Sequence, residues 1–274
     1  MIEFRNVSRR YGKRTAVADL TLTAPGGEVF AYLGPNGAGK TTTIKMLVGL
    51  LQPHAGGISI GGVDVRKQPR EACRLLGYVP DQPFLYDKLS ARETLQFVAG
   101  MYGMGQKEAA DAIERQIATF ELGGFCDRLS EGYSHGMKQR VVFASALVHN
   151  PRVVVVDEPM VGLDPRSMRL VKDLLRRFAD EGGAVFMSTH TLSVADEIAD
   201  RIGVLSQGRL LFCGAVGELR ERLAERDGSL ERLFLKLTEE MDDDAATAEA
   251  LAGPALAGRT AAAAVGAGQE MGDA

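Results

Sequence analysis

Apolar and polar residues alternate along MIEFRNV (residues 1–7) and again along AVADLTLTA (16–24), the period of strands that bury one face. VFAYL (29–33) is a short unbroken apolar run, which predicts a strand buried on both faces. A glycine-rich turn follows, and TTTIKMLVGLL (41–51) is helical in pattern despite its threonines; GGISIGGVDV (56–65) reads as strands hinged on glycines. Residues from about 90 to 150 are mainly helical, with Leu95, Val98 and Tyr102 at i, i+3 and i+7 on one apolar face. After Pro151 strands and helices alternate again. VVVVDEP (153–159) and AVFMSTH (184–190) read as buried strands around the helix RSMRLVKDLLRRFADEGG (166–183), and RIGVLSQGRLLFCG (201–214) as a hairpin turning at Gln207–Gly208. Strand, helix and strand in this order imply an α/β fold with a mostly parallel sheet covered on both faces.

From Met241 onward alanine, glycine and acids dominate, with Pro254 among them, so residues 241–274 are expected to be a disordered tail. The tail also explains the charge. The whole chain carries a formal −4, and the tail holds six acids against Arg259 alone, so the remainder is close to neutral. No basic stripe points to nucleic acid or an anionic membrane surface. Cys73, Cys126 and Cys213 form no CxxC pair and no metal spacing, which suits idle thiols in a reducing compartment. The N-terminal stretch MIEFRNVSRRYGKR lacks the apolar core of a signal peptide, and no run approaches the roughly 18–20 apolar residues that cross a bilayer.

GPNGAGKT, Gly34 to Thr41, fits the phosphate-loop pattern G-x-x-x-x-G-K-[ST], with an apolar strand before it and a helix after it. The loop runs through Pro35, Asn36 and Ala38, and Gly34, Gly37 and Gly39 let its backbone curl so that the available N–H groups face inward onto phosphate oxygens. The helix start adds its dipole near Thr42. Lys40 supplies a cation for the outer phosphates, and the Thr41 hydroxyl is a Mg²⁺ ligand. Asp157 and Glu158 end a buried strand 117 residues after Lys40. Asp157 is expected to hold Mg²⁺ through water, and Glu158 to act as general base on the attacking water. The cation makes acids tolerable at a buried strand end.

YSHGMKQRVVFASALV (133–148) looks like a second phosphate-binding helix start, which one nucleotide does not require. Phosphate loop, then a Ser-x-Gly segment, then an acidic strand resembles the ATP-binding cassette ATPases of ABC transporters. The resemblance covers roughly residues 2–240 and implies a P-loop NTPase cassette with an N-terminal antiparallel β subdomain and an inserted helical subdomain at about 90–150. The family's LSGGQ signature reads Tyr133-Ser134-His135-Gly136-Met137 here, with His135 in place of a glycine and Met137 in place of the glutamine. The family implies that Ser134 and Gly136 face the ATP of a second subunit, itself a copy of this chain or a homologous ATPase, in a head-to-tail dimer.

The same resemblance makes Tyr11 the aromatic that stacks on adenine, a contact worth roughly 1–3 kcal/mol. It places Asp164, in Gly162-Leu163-Asp164, in a loop communicating across the dimer, and makes His190 the switch residue at the γ-phosphate. One column departs: the glutamine expected after GYVP is Asp81, and Gln82 comes one residue late, so either is a candidate metal contact. His54 and His149 match nothing in the family and are expected at the surface. With no spanning segment, the chain is expected to work in the cytoplasm, held at the inner face of the cell membrane by a separate permease. That permease is expected to dock where Phe84, Leu85 and Tyr86 are exposed. The forms YSHGMKQR and GYVPDQPFLYDKLSARETL resemble export systems more than importers. A rival is a permease-free cassette ATPase that remodels ribosomal, nucleic-acid or protein assemblies; such proteins usually carry two cassettes or a long coiled coil, and this sequence shows neither. A plain P-loop kinase or GTPase leaves the signature, Asp164 and His190 unexplained.

Overall fold

The computed structural model describes residues 1–224, so the tail expected at 241–274 and the end of the expected cassette domain lie outside the described residues. In chain order the elements are β1 (Ile2–Tyr11), β2 (Arg14–Ala24), β3 (Val29–Leu33), α1 (Lys40–Leu47), β4 (Ala55–Ile60), β5 (Val63–Asp64), α2 (Pro69–Arg74) and β6 (Leu76–Val79). The helices α3 (Ala91–Met101), α4 (Gln106–Thr119) and α5 (His135–Leu147) follow. Then come β7 (Val153–Asp157), α6 (Pro165–Asp180), β8 (Ala184–Thr189), α7 (Leu192–Ile198), β9 (Arg201–Ser206), β10 (Arg209–Ala215) and α8 (Val216–Ala224).

Two sheets form. One has the order β2-β1-β4-β5 and is antiparallel throughout. The other runs β10-β9-β3-β8-β7-β6 and is parallel except for the β9–β10 hairpin. The unbroken apolar runs of β3, β7 and β8 have a direct cause: successive side chains enter opposite cores. Val29, Ala31 and Leu33 of β3 pack with the helices α3 to α7, whereas Phe30 and Tyr32 pack toward the antiparallel sheet and α1. There Phe186 contacts Phe4, Phe30 and Tyr32 at ring separations of 5.2–5.9 Å.

Differences from the sequence reading have local reasons. The helix expected over 41–51 stops at Leu47, because Gly49 adopts φ 78° and the amides of Val48, Gly49 and Leu51 cap the last turn. The helix α2, the strand β6 and the helix α7 are too short to announce themselves by periodicity. Leu85 is not exposed beside Phe84 and Tyr86; it points inward and is 7% accessible, in the core shared with the helices. His149 is partly buried rather than exposed. Its ring stacks on Tyr102 at 3.6 Å and its Nε2 donates to the Leu76 carbonyl, while burial pushes its pKa down to about 4. His54 is exposed, and its Nδ1 accepts from the Arg10 amide.

Candidate functional site

The strands β3, β7 and β8 end side by side, and the loops that leave them meet in one place. After β3 the chain turns through Gly34–Gly39 into α1. Gly39 precedes the helix at φ 112°, and a Cβ there would lie 2.3 Å from the Ala16 carbonyl, so no other residue fits without moving the backbone. No side chain caps α1, which leaves its first amides available to a ligand. Lys40 lies buried, its Nζ donating to the carbonyls of Gly34 (2.6 Å) and Pro35 (3.2 Å) and sitting 3.3 Å from Glu158 Oε1. The phosphate loop and the acidic strand end are therefore in ion-pair contact.

Glu158 follows β7 with φ 49°, an unusual left-handed backbone for a glutamate. Such a conformation costs on the order of 1–3 kcal/mol and persists where surroundings fix it. Ser188, opposite Asp157 in the β7–β8 register, does the fixing: its Oγ accepts from the Glu158 amide at 3.0 Å and donates to Asp157 Oδ1 at 2.5 Å. Beyond β8, His190 presents Nδ1 2.9 Å from Glu158 Oε2, and its amide donates to the same oxygen at 3.3 Å. Glu158 is thus held between Lys40 and His190.

Asp157 is 1% exposed. Burial pushes its carboxyl above the usual range, hydrogen bonds from Ser188 and Thr41 pull it back, and the nearby carboxylates of Asp81 and Glu158 push it up again. A buried acid in the field of other acids, with a threonine hydroxyl on the same side, fits a hard divalent cation. Mg²⁺ takes few protein oxygens and completes its shell with water and phosphate. Among the described residues no three His, Cys, Asp or Glu side chains group as a metal-holding cluster. Of the two candidates in the variant loop, Asp81 acts electrostatically on both Asp157 and Tyr78.

Tyr11 lies at the end of the β1–β2 hairpin, paired with Arg14, and is half exposed with the Arg9 guanidinium 5.2 Å from its ring centroid. Arg14 Nη2 donates to the Gly37 carbonyl at 3.1 Å, tying the hairpin to the phosphate loop. Neither Arg14 nor Ser188 is part of a recognisable pattern; only the register of paired strands reveals them. The second helix start is placed apart from the first. Helix α1 packs on β2, β4 and β7, whereas α5 packs on α3, α4 and β6. Ser134 caps α5, accepting from the Met137 amide at 3.3 Å. Asp164 caps α6 through the amides of Arg166 and Ser167, and a Cβ on Gly136 would lie 3.7 Å from its Oδ2. The His135 ring covers Gly162 of the same loop.

A phosphate loop on a mostly parallel sheet, facing a buried aspartate and a glutamate held between a lysine and a histidine, defines a P-loop nucleotide hydrolase. The ABC transporter family model matches residues 17–161. The chain is 35% identical over 226 residues to the linearmycin resistance ATP-binding protein of Bacillus subtilis, covering 81% of this chain and 72% of that one. It is 39% identical over 221 residues to a Nod factor export ATP-binding protein of Burkholderia lata, covering 80% and 72%. A dimeric ATP-binding cassette in a post-hydrolysis state with ADP and phosphate superposes with a TM-score of 0.71 at 25% identity, over 79% of this chain and 99% of that one. The chain belongs to the ABC transporter ATP-binding family, and it is an ATPase.

Proposed function

We propose that this chain is the motor of an exporter: two copies, or one copy and a homologue, close head-to-tail on two ATP molecules and drive a separate membrane permease. The observation that carries the reading is the pair of helix starts on one chain, Gly39–Thr42 and Ser134–Gly136, set on different neighbours. Each nucleotide would lie between the phosphate loop of one subunit and Ser134 and Gly136 of the other, with Asp164 at the seam. Tyr11 stacks on the base and Lys40 turns from Glu158 to the phosphates. Thr41 and Asp157, with Asp81, would hold Mg²⁺, which when bound would neutralise phosphate charge. Glu158 then takes a proton from the attacking water, and His190 keeps its carboxylate oriented.

No helix among the described residues is long and apolar enough to cross a membrane. As with the ATP-binding proteins it resembles, translocation would fall to another chain, and this one would work at the inner face of the membrane. A cavity of about 390 Å³ beside the variant loop is lined by Leu50, Phe84, Tyr86, Phe97 and Tyr102 among others. Phe84, Tyr86 and Phe97 form an edge-to-face ladder with centroid separations of 5.5 and 6.1 Å, and all three are at least half exposed. A short amphipathic helix of the permease fits such a groove. The exported class follows from the relatives, whose names concern drug resistance and export.

The test is Glu158→Gln. It should bind ATP and lose roughly 10²–10⁴-fold in hydrolysis, the usual worth of a general base. With ATP and Mg²⁺ it should accumulate as a dimer on size-exclusion chromatography with light scattering. A Glu158→Gln protein that hydrolyses ATP at the wild-type rate, or stays monomeric at saturating ATP, overturns the shared-site mechanism.

A further inference from the structure

The residues just before the Ser134 cap are laced to those that lead out of the aromatic groove. Ser130 is fully buried; its Oγ donates to the Tyr86 carbonyl at 2.8 Å and its amide to the Leu89 carbonyl at 3.0 Å. The Glu131 amide reaches the Asp87 carbonyl at 3.2 Å, Ser90 and Leu129 form an antiparallel bridge, and Lys88 pairs with Glu131 at 2.5 Å. The last link is Tyr133, 7% exposed, whose hydroxyl accepts from the Ala91 amide at 3.2 Å. Its single proton has the Arg128 carbonyl at 2.8 Å and the Phe125 carbonyl at 2.9 Å within reach. Ala91 opens α3, the helix whose Thr94, Phe97 and Val98 line the groove, and Tyr133 directly precedes Ser134.

We propose that Tyr133 is a positioning residue: its buried hydroxyl, with Ser130 beside it, clasps the groove-lining start of α3 and the Tyr86 loop to the Ser134–Gly136 segment. What fills the groove therefore sets the position of the segment that completes the partner's ATP site. A phenol suits this task because one oxygen both accepts and donates, joining two strands of backbone in a space closed to water. The ring alone fills the same volume, resting edge-on against Phe125 at 5.0 Å, so the hydroxyl is separable from the packing. The biological meaning rests on the groove being the permease site, but the linkage itself is a property of this chain.

Cys73 allows a direct test, because its thiol is exposed and lines the groove while Cys126 is buried. The full chain is alkylated with N-phenylmaleimide, and amide hydrogen exchange is followed in peptides spanning residues 133–138, with Cys73→Ser as the control for other thiols. Filling the groove should change exchange there by about fivefold, the equivalent of one neutral hydrogen bond. Tyr133→Phe should fold normally and lose that response. Ser130→Ala should weaken it and serves as the second variant. A wild-type chain with no response, a Tyr133→Phe chain that responds as wild type, or a Ser130→Ala chain with the full response overturns the proposal. The experiment needs no permease, so failure of the clasp and failure of permease docking show up separately.

Discussion

At the scale of the residue, the site depends on a serine that no motif contains. Ser188 holds the Glu158 backbone and the Asp157 carboxylate at once, and it does so because β7 and β8 pair Asp157 with Ser188. Asp81 adds a further charge to the same place. Removing it by Asp81→Asn should weaken the cation site, raising the Mg²⁺ concentration for half-maximal ATPase by roughly two- to fivefold, the size of a partly exposed charge interaction. Gln82→Ala should leave that concentration unchanged. A Mg²⁺ titration of both variants checks the assignment, and the opposite pattern returns the metal contact to Gln82. The phosphate loop and the Asp157–Glu158 pair were legible in the sequence because their chemistry is contained in a few consecutive residues. Ser188 and Arg14 were not, since each acts on a segment 30 or 23 residues away. Chain adjacency misled in the other direction at Leu85, where three consecutive apolar residues gave no sign of which one turns inward.

Between elements, what matters is which surfaces the helices leave open. Helix α3 starts with a capping box in which Ser90 and Glu93 each satisfy the other's amide, an arrangement worth about 1 kcal/mol that fixes where the helix begins. With that start fixed, Phe97 is held against Tyr86 and the aromatic ladder keeps its geometry without a core to enclose it. Phe84→Ala and Tyr86→Ala should change thermal stability little, because both side chains are mostly exposed. Each should weaken permease capture by about tenfold or more, as truncating an aromatic anchor does. The comparison is made with tagged chain from detergent-solubilised membranes, quantifying the co-purifying multi-span protein against wild type while checking ATP binding. Undiminished capture by both variants places the permease elsewhere. The helical region around the groove was visible as periodicity in residues 90 to 150. The groove itself was not, because it is assembled from residues as distant as Leu50 and Tyr102.

For the whole molecule, the question is whether one chain or two make a catalytic site, and symmetry offers a decisive answer. In a head-to-tail dimer each site takes Lys40 from one subunit and Ser134 from the other. Lys40→Ala should abolish nucleotide affinity at its own phosphate loop, and Ser134→Arg should block the partner's nucleotide with a bulky side chain at the α5 start. Either variant alone should therefore be inactive. Mixed, they form heterodimers in which one site carries both defects and the other carries none. Random pairing makes half the dimers mixed with one intact site each, so ATPase activity should return to about a quarter of wild type if the two sites act independently. Activity is measured at equal total protein, with each variant's own circular dichroism confirming that it is folded. A site contained within one chain predicts no recovery at any mixing ratio. Recovery requires that Ser134 of the Lys40→Ala chain serve the phosphate loop of its partner, which is the arrangement that gives a second helix start on the same chain its use.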